Sequence, residues 1–167
     1  MSSSHRALGE VFDTVAKKIK HEDKIKVLRE HPSAALFYLL RLAYNDIPWA
    51  LPSGAPPYKV FEGRKGASGT DLMNAVKRLY IFIKGMEPNM PQLRREKHFQ
   101  DMLETLDSDE ALVLLAVKDR TLEKQYKLPR KVVEAAFPKL LDPPFSVKFG
   151  HNPQQPNVSP VPPPRWM

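Results

Sequence analysis

A chain of 167 residues is long enough for one domain with a substantial core, because folding at this size removes roughly 70% of the surface the unfolded chain exposes. The absence of cysteine excludes disulfides and cysteine-ligated metals. The 26 Lys and Arg against 19 Asp and Glu give a formal charge of +7, which suits anionic partners such as nucleic acid or an acidic protein face, or else simply keeps the chain soluble.

Along the chain, Leu8, Val11, Phe12, Val15 and Ile19 recur at three- and four-residue spacing, the period of an amphipathic helix. The leading segment MSSSHRALGEVFDTVAKK has no apolar centre, so no secretory signal is expected. A short helix is expected over Lys24–Glu30, with Ile25 and Leu28 turned inward. Ala34–Tyr44 then reads AALFYLLRLAY, apolar on nearly every side, and belongs at the centre of a core. Its Ala34–Leu40 stretch is the longest apolar run, far short of a membrane span.

Residues 45–69 differ from all of this. They hold Pro48, Pro52, Pro56 and Pro57 together with Gly54, Gly63, Gly66 and Gly69. They read as a long irregular loop with a short extended piece at Tyr58–Phe61 and apolar anchors at Trp49, Leu51, Tyr58 and Phe61. Thr70 and Asp71 cap the next helix, whose stripe is Leu72, Met73, Val76, Leu79, Tyr80 and Ile83 and whose stop is Gly85. Pro91 opens a helix with Phe99, Met102, Leu103 and Leu106 on one face. Asp107–Glu110 restarts the chain with capping residues. Ala111–Val117, apolar all round, predicts a second buried helix, and Pro129 opens a last one over Arg130–Phe137.

Beyond Leu141 the composition shifts to eight prolines with few large apolar residues, which predicts an extended tail over residues 142–167. The expected fold is therefore all-α: a compact bundle of six or seven helices over residues 1–141, a Pro/Gly-rich loop at 45–69, and the proline-rich tail. Its core should centre on Leu36, Leu39, Leu40, Leu79, Ile83, Leu103, Leu112, Leu115 and Phe137.

Few motifs carry chemistry. Lys118, Arg120, Lys124, Lys127, Arg130 and Lys131, with Tyr126 among them, form the densest basic strip, opposed only by Asp119 and Glu123. Such a strip either tracks a phosphate backbone or is the solvated face of two short helices. Arg64 and Lys65, in the glycine-rich run Gly63–Thr70 ahead of a helix, suggest an anion loop. That run does not match the phosphate-loop pattern and follows no clear strand, which favours a plain basic loop.

Asp101, Glu104, Asp107, Asp109 and Glu110 match caps and an exposed helix face, with Arg94, Arg95 and Lys97 placed to pair with them. His5, His21, His31, His98 and His151 form no metal or catalytic spacing, so no metal, cofactor or catalytic residue is expected. The tail residues Pro162, Pro163, Pro164, Arg165 and Trp166 resemble a linear docking peptide with an aromatic anchor.

The segments HPSAALFYLLRLAYNDIPWALPSGAPPY, LYIFIKGMEPNM and LRREKHFQDMLETLDSDEALVLLAVKDRTLEKQYKLPRKVVEAAFP give the chain a resemblance to a family of small proteins from T4-like tailed bacteriophages. The resemblance spans Leu8 to Leu141 and leaves the tail outside it. It implies a phage context and expression in a bacterial host, and it brings no catalytic residues.

The first expectation is thus a non-enzymatic phage accessory protein that binds DNA or RNA, or a replication or transcription complex, through a basic face in the host cytoplasm. The alternative is a virion or assembly component that docks on a phage or host protein complex through the tail and the long loop. A nucleotide-using enzyme ranks last, and no membrane association is expected.

Overall fold

The structure is a computed structural model and describes residues 7–64 and 66–142. Lys65 and the docking residues Pro162, Pro163, Pro164, Arg165 and Trp166 lie outside the described residues. Among those described, the fold is all-α, with eight α-helices, one 3₁₀ segment and no strand.

Helix α1 (Leu8–Lys17) buries Leu8, Val11, Phe12 and Val15, the stripe its periodicity requires. Ile19 does not join it. The helix ends at Lys17, Lys18 is extended, and Ile19 projects with 91% of its surface exposed. Helix α2 (His21–Glu30) follows, one turn longer than the apolar pattern suggests, with Leu28 buried and Ile25 half-buried. Helix α3 (Ala34–Tyr44) starts where the Ser33 side chain accepts from the Leu36 amide, and it buries Leu36, Tyr38, Leu39, Leu40 and Leu42.

Asp71 caps α4 (Leu72–Ala75) through the Asn74 amide. The chain then tightens into a 3₁₀ segment, Val76–Phe82, instead of one continuous helix. The cause is legible: Met73, Val76, Leu79 and Phe82 recur at an unbroken period of three, and the last three are fully buried. A period of three aligns on one face only at 3₁₀ pitch.

Helix α5 (Gln92–Thr105) and helix α6 (Ser108–Asp119) complete the core. Helix α6 packs against α1, α3, α4, α5 and α7, which explains its apolar composition. Its burial is not complete. Leu112 is 48% exposed, and Leu115, like Phe137, is half-buried at the core margin. Two short helices follow: α7 (Leu122–Tyr126), set off from α6 by a left-handed Arg120, and α8 (Arg130–Ala136), which packs on α2.

Residues 45–71 are held against this body by their own backbone groups. Trp49 pairs with Ile83 in an antiparallel bridge, with Ala50 N donating to Phe82 O and Lys84 N to Pro48 O. Tyr58–Phe61 joins no ladder. The amides of Gly54, Lys59, Gly66 and Leu72 donate to the carboxylates of Asp119, Glu104, Asp107 and Glu110. The acidic run is therefore not an exposed helix face throughout: Asp107 and Glu110 are buried. Of the pairings expected at helical spacing, Lys97 does bond Asp101 at 2.9 Å, whereas Arg95 turns inward to Ile81 O and Glu87 O.

Glu110 is 2% exposed and accepts from Leu72 N at 2.8 Å. Burial raises its carboxyl above the usual value, against the lowering by the Leu72 amide, and Asp109, Asp71 and Asp107 add to the rise. A carboxyl raised in the folded state is protonated there while the unfolded chain has already lost its proton. Stability therefore falls as pH rises from the unfolded value near 4.5 through the folded one, and the full penalty is present above both. Glu110→Gln keeps the acceptor and removes the charge. In thermal melts from pH 4 to pH 8 the variant should match the native protein in acid and exceed it in melting temperature near neutrality. A native advantage that grows with pH would contradict this account.

Candidate functional site: a basic groove between α1, α2 and α7

Three helix C-termini converge on one side of the bundle. Helix α1 ends at Lys17 and passes through Lys18 and Ile19 into α2. Helix α6 is capped by Arg120 and α7 by Lys127, both in the left-handed backbone region with φ of 60° and 52°. Between these turns lies an open groove of about 1040 Å³. Its walls carry Lys17, Lys18, Lys24, Arg120, Lys124 and Lys127, opposed by the single carboxylate Glu123, with His21 and Ile19 on the α1–α2 side.

Two of these cations are structural. Lys24 is buried and donates to Val15 O at 3.3 Å and Lys127 O at 2.6 Å, tying the end of α1 to the end of α7. Burial and, after it, the neighbouring Lys127 lower its pKa. Arg120 turns to the rim, pairing with Asp46 at 2.7 Å and donating to Ile47 O. Lys17, Lys18, Lys124 and Lys127 are exposed on the groove itself.

The basic strip of the sequence is thereby split. Lys118, its first member, has a side chain only 2% exposed. It donates to Pro52 O and Gly54 O, bonds Asp119 at 2.6 Å, and lies 5.9 Å from the Phe99 ring. Tyr126 is buried against Phe12, with ring centroids 5.5 Å apart, and burial followed by the charge of Asp13 pushes its hydroxyl up to about 12. Arg130 pairs with Glu134 and donates to Tyr44 O.

Lys131 and Arg64 are exposed but outside the groove lining. The Gly66 amide beside Arg64 donates to Asp107. Arg120, Lys124 and Lys127 are the strip members the fold brings together, and it adds Lys17, Lys18 and Lys24 from about a hundred residues upstream in the chain. The run Lys17-Lys18-Ile19-Lys20 was the available signal, but counting Ile19 into the apolar stripe obscured it.

Among the described residues three non-glycines take the left-handed conformation, Arg120 and Lys127 at the groove and Lys139 away from it. Glycine is the residue that ends a helix in this conformation without steric cost, and any other costs roughly 1–2 kcal/mol. Lys127 accepts that cost at the edge of the groove. Chemically the site offers diffuse positive charge and little else: no group of three or more His, Asp or Glu able to hold a metal is present among the described residues. The geometry suits an extended anion.

The molecule is thus an all-α protein with a cationic groove. It belongs to a protein family of unknown function, DUF6433, whose model matches residues 11–124. No curated protein and no solved structure is detectably similar to the chain. No helix among the described residues is long and apolar enough to cross a membrane.

Two substitutions separate architecture from surface charge. Lys118→Met removes the donor to two loop carbonyls and should cost about 2 kcal/mol, with faster amide exchange at residues 50–56 as the readout. Lys127→Gly relieves the left-handed strain and should gain about 1 kcal/mol, or roughly 2–4 °C in melting temperature. A destabilised Lys127→Gly protein would show that the lysine is there for folding.

Proposed function

We propose that this protein is a non-enzymatic accessory protein that binds nucleic acid, alone or within a replication or transcription complex, through the groove between α1, α2 and α7. The observation that carries the reading is the charge ratio of that groove, six cations to one carboxylate across a wide, open concavity. Four of those cations extend from the surface without being buried, and one of them occupies a strained backbone position. A phage origin, with action in the host cytoplasm, is part of the same proposal and rests on the sequence resemblance.

Binding of this kind is dominated by counterion release and so depends steeply on salt. If Lys17, Lys18, Lys124 and Lys127 each neutralise one phosphate, log K against log salt has a slope of about −3.6. Fluorescence anisotropy with a labelled oligonucleotide between 50 and 300 mM salt measures it. Lys18→Glu and Lys124→Glu should each flatten the slope by about one unit and weaken binding at low salt. A salt-independent or absent response in the native protein sinks the proposal.

A further inference from the structure

Resting on the nucleic-acid reading, we infer that the groove takes a duplex by its backbone, without reading sequence, and that Ile19 is an apolar wedge that enters between base pairs. Three observations point there. The groove lining offers no Phe, Tyr or Trp ring as a stacking platform, since Tyr126 is turned into the core against Phe12, and its one aromatic group is the imidazole of His21. Single-strand binders hold bases on such rings, so the lining disfavours an unpaired strand. It also carries no Asn or Gln, the amides that read adenine edges, and its one arginine, the side chain best shaped to read guanine, is held by Asp46, which leaves exposed lysines that meet phosphate as point charges.

The third observation is Ile19 itself. It is 91% exposed, the most exposed large apolar residue among those described, and it stands at the groove wall with Lys17 and Lys18 before it and Lys20 after it. An isolated exposed aliphatic on a protein surface is ordinary. One flanked by three lysines in a turn that breaks a helix, at the edge of a cationic concavity, has the arrangement of a minor-groove wedge: phosphates are held on both sides while an apolar side chain unstacks one step and kinks the duplex. Helix α1 ends at Lys17 and so frees Ile19 from its own apolar stripe.

A wedge works against base stacking, so it gains most where a step is already weakened. Anisotropy with the full-length protein would compare an intact duplex, the same duplex with one central mismatch, and its single strand. The native protein should bind the intact duplex more tightly than the single strand, and the mismatched duplex roughly tenfold more tightly still. Ile19→Ala should erase the mismatch preference, lower duplex affinity about tenfold, and leave the salt slope unchanged, because no cation is lost. End-to-end energy transfer across the duplex should report a bend with the native protein and none with Ile19→Ala. Its exposure makes the substitution harmless to folding, checked by an unchanged melting temperature.

Native and Ile19→Ala proteins that bind all three ligands alike, with a steep salt slope, would overturn the wedge while leaving the nucleic-acid reading intact. Tighter binding of the single strand would overturn the duplex assignment. No binding to any of the three would overturn both.

Discussion

The constraint on which this structure depends is the bonding of charged side chains to backbone groups that helices leave unpaired. Its helices are short, and every helix end exposes up to four carbonyls or amides that lack an intrahelical partner. Arg29 donates to Ala135 O and Ala136 O at the end of α8, Arg130 to Tyr44 O at the end of α3, and Lys24 to Val15 O near the end of α1. Arg41 reaches Leu140 O, and Arg95 reaches both Ile81 O and Glu87 O. The 45–71 segment is fixed by the same means with both signs, carboxylates on its amides and Lys118 and Arg120 on its carbonyls. An irregular segment this long must find partners for its peptide groups, and besides the backbone bridge at Trp49 many of these are charged side chains from α5, α6 and the turns around them.

This bonding changes what the formal charge means. A total of +7 suggests a generally basic surface, but many of the arginines and lysines are engaged with carbonyl oxygens of the chain itself. Hydrogen bonds of this kind are stronger than neutral ones, and deletion of one partner leaves a carbonyl unsatisfied. Composition alone therefore overstates the positive surface available to a partner. Placement matters more: among the cations not engaged in this way, Lys17, Lys18, Lys124 and Lys127 meet where α1, α6 and α7 terminate.

The legibility of the fold in the sequence follows the same division. Caps and stripes act within a few residues, so the Asp71 cap, the stripe of α5 and the stripe of α1 as far as Val15 could be read directly. The period of three that makes Val76–Phe82 a 3₁₀ segment was present in the letters, hidden by overlap with the three-and-four spacing of an α-helix. Leu112 defeated the pattern because an all-apolar helix says nothing about which face lacks a neighbour. Long-range side-chain to backbone bonds leave no periodic trace at all. Lys118 bonded to Pro52 and Gly54, and Glu110 bonded to Leu72, look in sequence like any other surface charges.

The groove shows why a charge run in sequence is a poor map of a binding face. Helix C-termini carry partial negative charge and attract cations for purely structural reasons. Convergence of three such ends would by itself gather lysines, and Lys24 is there on that account, buried and bonded to two carbonyls. The same argument does not extend to Lys127 and Lys124. Both extend to solvent on the groove instead of turning back onto a helix-end carbonyl as Lys24 does. Nor does it extend to Ile19, whose exposure contributes nothing to the core that its own helix was patterned to fill. Residues that fold the protein and residues that exceed what folding needs thus line one groove together. The excess, two walls of lysine meeting around an exposed aliphatic, is the part of the structure that folding leaves unexplained.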